Sequence, residues 1–282
     1  MDSNQYGKLY LVATPIGNLE DISYRAVRIL SEVDLIAAED TRNSRHLLQH
    51  FEIHTPMTSY HEFNKVDKAE KLLDMLLDGK NIAVITDAGT PGISDPGEEL
   101  VAMALEAGIT TLPIPGACAC ISAITVSGQS CRRFSFEAFL PKDKKELERV
   151  LSELERETRT IILYEAPHHL RKTLSLLADR LGDRSLTICR ELTKRFEEVE
   201  KTSLYTAVEE FQTREPRGEY VLVIAGKSKQ EAEEERLKAF EDMPIEEHFE
   251  NYLAQGLDRK AAMKAVAKDR GISKRDVYQA LL

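Results

Sequence analysis

A loop rich in glycine and proline constrains the fold more than any other segment of this chain. Residues 86–97 read Thr-Asp-Ala-Gly-Thr-Pro-Gly-Ile-Ser-Asp-Pro-Gly. The apolar run before it, residues 82–85, predicts a buried strand, and residues 98–105 predict a helix that stops at Gly108. Ligands of α/β proteins bind at the carboxyl edge of the sheet, where such loops lie. Because glycine admits close approach to the backbone and proline restricts a loop's shape, we expect this loop to line a binding site.

Strand and helix patterns alternate along most of the chain, which predicts an α/β fold. In the first half, strands are predicted at 8–13, 35–38, 82–85 and 111–114, with helices at 24–33, 41–51, 65–77 and 97–107. This alternation favours a mostly parallel sheet covered by helices. After Pro115-Gly116 a helix of small residues leads into further strands, at 134–139, 160–164, 186–189 and 220–225. We therefore predict two α/β domains, residues 1–116 and 117–227, with a cleft between them.

The last part of the chain differs from the rest in charge and pattern. Residues 228–242 are predicted to form a charged linker, and residues 243–282 a small helical module. Within that module, Ala267, Gly271 and Val277 have the spacing of a helix-turn-helix core. Residues 257–282 carry seven Lys and Arg against three Asp and Glu, although the whole chain has a formal net charge of −10. This local basic charge predicts recognition of nucleic acid.

Composition and motifs exclude several classes of protein. No apolar stretch reaches the roughly 20 residues of a membrane helix, and the N-terminus lacks a signal-peptide pattern. We therefore expect a cytoplasmic protein without a membrane partner. The four cysteines have no zinc-site spacing and predict reduced, mostly buried thiols and no metal site. Because residues 13–17 read Ala-Thr-Pro-Ile-Gly, the chain has neither a dinucleotide fingerprint nor a P-loop after its first strand.

Five segments, taken in order, resemble one known family. They are residues 13–21, 38–42, 86–97, 164–168 and 190–194. Together they are similar to the tetrapyrrole methylase superfamily, and within it to the branch that methylates the ribose 2′-oxygen of a cytidine in small-subunit rRNA. The resemblance spans roughly residues 7–227. It implies S-adenosylmethionine as the cofactor, rRNA of the small ribosomal subunit as the partner, and a homodimer.

The resemblance also implies which residues hold the cofactor. In this family the cofactor lies folded in the cleft between the two domains. Carried over to this chain, its contacts are Ile16, Gly89, Thr90, Ile93, Ala117, Cys118, Tyr164 and Tyr220. The family usually has serine or threonine near position 118, and the cysteine there is a departure from its pattern.

Methyl transfer to a ribose hydroxyl depends first on alignment of donor and acceptor. A base that accepts the hydroxyl proton adds to the rate, and the candidates are Glu39, Asp40 and His61, which lie on segments that end near the same sheet edge. Asp40 is equally suited to cap the helix at 41–50, and His61 to be an ordinary loop histidine.

Basic residues in two regions are predicted to contact RNA phosphates. They are Arg42, Arg45, Lys194 and Arg195 in the first two domains, and Arg259, Lys260, Lys264 and Lys268 in the module. Arg190 is a further candidate, but it could equally pair with Glu191 or Glu198 in a structural network.

Two other functions stay open. One is a small-molecule methylase of the tetrapyrrole or diphthine type, and the basic module counts against it. The other is a ligand-sensing regulator that binds DNA through its tail. The lack of a second strong basic surface counts against the regulator.

Overall fold

The computed structural model describes residues 6–61, 65–238, 240 and 243–282. In the first half, five parallel strands form a sheet in the order β3-β2-β4-β1-β5. The strands are β1 (Lys8–Val12), β2 (Leu35–Ala38), β3 (Met57–Ser59), β4 (Ile82–Ile85) and β5 (Thr110–Ile114). Since all five strands run in one direction, the loops that follow them meet at one edge of the sheet.

Four helices cover both faces of this sheet, as the alternating pattern predicts. They are α1 (Tyr24–Glu32), α2 (Thr41–His50), α3 (Lys65–Leu77) and α4 (Glu98–Glu106). Leu30 of α1 and Leu48 of α2 pack with Ile36 and Ile85 on one face. Leu72 of α3 and Leu100 of α4 pack with other strand residues on the opposite face. The sheet is therefore the middle of three layers, and its carboxyl edge is left open.

The second half contains a mixed sheet in the order β6-β7-β10-β8-β9. Its strands are β6 (Phe134–Phe136), β7 (Thr160–Glu165), β8 (Ser185–Arg190), β9 (Glu198–Ser203) and β10 (Tyr220–Ile224). Its helices are α5 (Ala119–Val126), α6 (Lys144–Arg156), α7 (Pro167–Leu181) and α8 (Leu204–Thr213). The last three helices pack on one face of the sheet, whereas α5 covers the other together with Ile16 of the first half. The two halves thus share one apolar cluster.

Two differences from the sequence patterns have clear physical causes. The strand expected at 134–139 ends at Phe136, because Ala138 has a positive φ of 50° that turns the chain. Strand β9 was not predicted, since its sequence Glu-Val-Glu-Lys-Thr-Ser is polar. It is an edge strand, and its Glu198 and Glu200 form ion pairs with Arg214. Charged side chains are common on such edges.

The segment predicted as a charged linker contains helix α9 (Lys229–Lys238). Ser228 and Glu231 cap its start reciprocally: each backbone N–H donates to the other's side chain. This capping box was readable in the sequence. Beyond the helix, the Phe240 ring stacks on His248 with centroids 4.0 Å apart, so this segment also contacts the module.

Three short helices form the C-terminal module: α10 (Ile245–Ala254), α11 (Arg259–Asp269) and α12 (Lys274–Ala280). Phe249, Ala262, Val266 and Val277 form its core. The chain turns between α11 and α12 at Gly271, which has a φ of 63°, and Ala267 and Val277 are both buried. This arrangement agrees with the predicted helix-turn-helix spacing. No helix in the described ranges is long and apolar enough to cross a membrane.

Candidate active site

The loop after β4 is fixed by contacts to two other segments. Gly89 and Thr14 exchange backbone hydrogen bonds of 2.8 and 3.1 Å, which tie the loop to the segment after β1. The Thr90 hydroxyl donates to the Ala117 carbonyl oxygen at 2.9 Å, which ties it to the start of α5. Gly89 has a φ of 90°, and a Cβ there would lie 3.3 Å from Ile16 Cγ2. The loop therefore presents bare backbone where the two halves of the chain meet.

A cavity of about 470 Å³ lies beside this loop, between the two sheets. The first half contributes Ile16, Glu39 and the loop. The second half contributes Cys118, Ala119, Phe139 and residues at the ends of β7, β8 and β10. Four of the five non-glycine residues with positive φ in the described chain flank it: Ser94, Ala138, Glu191 and Thr193. Such conformations cost free energy and cluster at functional sites, which supports this cavity as the active site.

Three carboxyl groups of the first half line the cavity, namely Glu39, Asp87 and Asp95, and Glu165 and Glu219 line it from the second half. Burial raises the pKa of Asp95 to about 7, and the nearby Glu39 and Asp87 carboxylates add to the rise. Burial also raises the pKa of Glu39, whose Oε2 accepts a hydrogen bond from the Asp87 N–H at 3.2 Å. No described residue donates a hydrogen bond to the Asp95 carboxyl in this arrangement. Asp95 is thus available to act on a ligand.

Asp40 has a different environment from these three carboxyl groups. It is the N-cap of α2, where its Oδ1 accepts from the Arg42 N–H at 2.8 Å, and its Oδ2 lies 2.7 Å from the Arg42 guanidinium. The hydrogen bond from the Arg42 side chain lowers the pKa of Asp40 to about 2. Asp40 does not line the cavity, although its N–H donates to Asp87 at 3.3 Å.

Two thiols lie at the start of α5. Cys118 lines the cavity, and its Sγ is 3.4 Å from the Sγ of Cys120. The Cys120 N–H donates to the Tyr164 hydroxyl at 3.0 Å. The hydrogen bond from the Cys120 thiol, with further donors at the helix start, holds the pKa of Cys118 below its usual range. Cys189 is buried and Cys131 is exposed, so the expectation of mostly buried thiols holds for Cys120 and Cys189 only.

Lys194 connects the wall of the cavity to the first half of the chain. Its Nζ lies 3.0 Å from Glu191 Oε1 and 2.9 Å from Glu219 Oε2. A Cβ at Gly17 would lie 2.3 Å from Lys194 Cγ, so the glycine permits the close contact between the halves. The Arg190 guanidinium lies 3.5 Å from the Glu198 carboxylate. The sequence analysis offered this ion pair as the alternative to an RNA contact.

The structure brings most of the predicted site residues together. Of the eight predicted cofactor contacts, seven line the cavity, and the eighth, Ala117, holds Thr90 through its carbonyl oxygen. Among the predicted catalytic residues, Glu39 lines the cavity, and His61 is close enough to Glu39 to lower that carboxyl's pKa against the effect of burial. The roles of all these residues stay predictions.

The predicted RNA contacts lie in three places. Arg42 and Arg45 are exposed on α2, and Arg195 is exposed beside Phe196, 5.4 Å from its ring centroid. Lys194 is half-buried in its ion pairs. Arg259, Lys260, Lys264 and Lys268 are exposed on α11, and we call these four residues the basic face of the module.

Asp95 and Phe139 are among the cavity residues that sequence reasoning did not predict. Asp95 belongs to the loop itself, but its closeness to Glu39 depends on how β2 and β4 pair. Phe139 was assigned to a strand, whereas the turn at Ala138 brings its ring to the cavity, 5.8 Å from the Tyr164 ring centroid. The ring is 54% exposed, which is unusual for phenylalanine and was not signalled by the sequence.

Comparison with known proteins identifies the family. The chain is 46% identical to "Ribosomal RNA small subunit methyltransferase I" of Halalkalibacterium halodurans, over 96% of this chain and 93% of that protein. It is 48% identical to the protein of the same name from Synechocystis, over 97% of this chain and 96% of the other.

Solved structures with low sequence identity share the fold. Diphthine synthase superposes with a TM-score of 0.62 at 14% identity, over 81% of this chain and 94% of its own. Uroporphyrin-III-C-methyltransferase from Thermus thermophilus gives a TM-score of 0.55 at 17% identity, over 77% and 94%. The family model of the tetrapyrrole (corrin/porphyrin) methylases matches residues 8–208. The chain belongs to the tetrapyrrole methylase family.

Proposed function

We propose that this protein uses S-adenosylmethionine to methylate the ribose 2′-hydroxyl of a cytidine in small-subunit rRNA. The observation that carries the proposal is the cavity between the two sheets, in a chain 46–48% identical to proteins named as small-subunit rRNA methyltransferases. The 2′-oxygen and the cytidine rest on the resemblance of residues 38–42 and 190–194 to one branch of the family. In the structure, residues of both segments border the cavity.

The cavity fits the cofactor in size and chemistry. Its volume of about 470 Å³ lies within the range of small-molecule sites. Gly89 has no side chain and lines the cavity next to Ile16, so a ligand can approach the loop backbone there. The carboxyl groups of Glu39, Asp87 and Asp95 are complementary to a cationic ligand. When bound, S-adenosylmethionine supplies a methyl group on a positively charged sulfur, which is activated for in-line displacement.

Within this proposal, Asp95 accepts the proton of the ribose hydroxyl. A base whose pKa lies near the working pH is partly deprotonated and still binds a proton well. Asp95 meets this condition, lines the cavity and has no described hydrogen-bond donor. Glu39 is tied to the Asp87 N–H and acts as a positioning residue that also keeps the pKa of Asp95 high. Asp40 is the weaker candidate, because its ion pair with Arg42 lowers its affinity for a proton.

Recognition of RNA is assigned to surfaces around the cavity and on the module. The exposed Phe139 and Phe196 rings are suited to stacking on unpaired bases, which is a common mode of RNA recognition. Arg42, Arg45 and Arg195 supply contacts to phosphate, and the basic face of the module supplies more. Because the Lys194 ammonium group is paired with the carboxylates of Glu191 and Glu219, we assign it to the wall of the cavity.

A homodimer is part of the proposal. Ile121 and Val126 of α5 are 46% and 53% exposed, and Leu112 on the edge strand β5 is also exposed. Apolar side chains at such exposure favour contact with a second copy of the chain. Sedimentation measurements on the protein and on Ile121→Lys test this part, because a charge at a dimer interface would shift the protein toward the monomer.

The experiment for the whole proposal is methyl transfer in vitro. The protein is incubated with methyl-labelled S-adenosylmethionine and small ribosomal subunits, and the rRNA is then hydrolysed with alkali. Methylation of the 2′-oxygen blocks cleavage at that nucleotide, so the label should appear in a dinucleotide that contains cytidine. Label in a mononucleotide indicates a methylated base and contradicts the assignment. If neither the dinucleotide nor the mononucleotide is labelled, and the protein instead methylates an added small-molecule substrate, the result favours a methylase of the tetrapyrrole or diphthine type.

A further inference from the structure

The thiols of Cys118 and Cys120 are arranged for a reaction that methyl transfer does not use. Their sulfur atoms are 3.4 Å apart, and a disulfide requires about 2.05 Å, so they must approach by only about 1.4 Å. Both lie at the first turn of α5, with Cys118 in the N-cap position. Cys118 lines the cavity, whereas Cys120 is buried, with only 4% of its surface exposed.

The two thiols differ in reactivity in a way that suits sequential oxidation. The Cys120 thiol and the N–H group of Ile121 favour the thiolate of Cys118. A thiolate that a small oxidant can reach is the nucleophile in cysteine oxidation. The hydrogen bond to Cys118 and burial raise the pKa of Cys120, so that thiol stays protonated. Cys118 is therefore the group that is oxidised first, and Cys120 is the group that resolves the product.

We propose that hydroperoxides oxidise Cys118 and Cys120 to a disulfide, and that this oxidation lowers the protein's affinity for its cofactor. In the first step the Cys118 thiolate attacks hydrogen peroxide, the O–O bond breaks, and the sulfenic acid and hydroxide form. In the second step the Cys120 sulfur attacks the sulfenic sulfur. The S–O bond breaks, and the Cys120 proton leaves with the hydroxide as water. Two electrons pass from the thiols to the peroxide, and a dithiol reductant reverses the change.

The effect on the cofactor follows from what the first turn of α5 holds. The Cys118 carbonyl oxygen accepts hydrogen bonds from the Ser122 N–H at 2.9 Å and the Ser122 hydroxyl at 3.0 Å. The Cys120 N–H holds Tyr164, which lines the cavity. Drawing the two sulfurs together displaces this turn and the wall that it forms. This part rests on the proposed cofactor site, whereas formation of the disulfide does not.

The test uses the full-length Cys131→Ser variant, because the chain has no Lys or Arg between Asn81 and Arg132. A single tryptic peptide would otherwise contain three cysteines. The protein is treated with limiting hydrogen peroxide, and unreacted thiols are then blocked. We expect this peptide to become about 2 Da lighter than its reduced form, and dithiothreitol to reverse the change. With Cys120→Ser added, we expect a gain of about 16 Da or more instead, from sulfenic or higher acids of Cys118.

Calorimetry with S-adenosylhomocysteine then measures the effect on affinity. We expect the oxidised protein to bind at least about tenfold more weakly, and reduction to restore the affinity. Unchanged thiols at peroxide levels that oxidise free cysteine would overturn the proposal, as would a disulfide that leaves the affinity unchanged. If the reduced protein does not bind the compound but still forms the disulfide, the proposed cofactor site fails and the thiol chemistry stands.

Discussion

Replacing Asp95 with asparagine should stabilise the free protein above neutral pH. In the folded protein the pKa of this carboxyl is about 7, whereas in an unfolded chain it is near about 3.9. As the pH rises from about 4 to about 7, the unfolded chain loses this proton but the folded protein keeps it. The free energy of unfolding therefore falls across this range and is lowered fully above it. Asparagine has no proton to lose and removes this pH-dependent cost.

The size of the effect follows from the difference between the two pKa values. A tenfold change in proton affinity is worth about 1.4 kcal/mol, so the difference sets a ceiling of about 4 kcal/mol. Asp95 opens onto a solvated cleft, where water screens its charge and lowers this figure. We expect Asp95→Asn to raise the free energy of unfolding by about 1–2 kcal/mol at pH 8. In a chain of this size that corresponds to a rise in Tm of roughly 2–6 °C.

The assay is thermal unfolding of both proteins at several pH values from 5 to 8.5. Asp87→Asn is the matched control, because the Asp87 carboxylate accepts hydrogen bonds from the Asp40 N–H and the Asn43 amide. This control should be destabilised by about 1 kcal/mol, since an amide group then faces donors. A Tm for Asp95→Asn that is unchanged or lower at pH 8, or a gain that is the same at every pH, would refute the reasoning.

Three further predictions concern the proposed function. Asp40→Asn should keep the cap of α2 and change the methyl-transfer rate less than twofold, because asparagine caps a helix about as well as aspartate; a large loss of rate would make Asp40 the base. Gly89→Val should abolish binding of S-adenosylhomocysteine in calorimetry, whereas Gly108→Val, at a similar positive φ but with open space around it, should bind normally; equal affinities would move the cofactor site elsewhere. Neutralising the basic face of the module should weaken RNA binding in a filter-binding assay and make it less dependent on salt. Neutralising the exposed lysines of α6 should do neither. Equal effects of the two changes would contradict a role of the module in recognition.

Sequence patterns predicted the parts of this structure that depend on local order. The glycine and proline residues of the loop, the apolar run before it and the helix caps each act through near neighbours, so the loop and most helices were predictable. Seven of the eight predicted cofactor contacts line the cavity, because the family resemblance linked segments that are distant in sequence. Asp95 was not among the predicted bases, since its raised pKa depends on burial in the cavity and on Glu39, which approaches it only through strand pairing. Strand β9 was missed because its sequence has no apolar pattern: it pairs with β8, and its Glu198 and Glu200 form ion pairs with Arg190 and Arg214.

Mapping of ribose methylation in rRNA tests the central claim most directly. Small-subunit rRNA is isolated from cells with and without this protein, and from cells that carry the Gly89→Val variant instead. Mass spectrometry of nuclease fragments then locates each 2′-O-methyl group. We predict that one cytidine loses its 2′-O-methyl group when the protein is absent, that the original protein restores it and that the variant does not. An identical set of ribose methylations in all these cells, or loss of a methyl group from a base alone, would contradict the account.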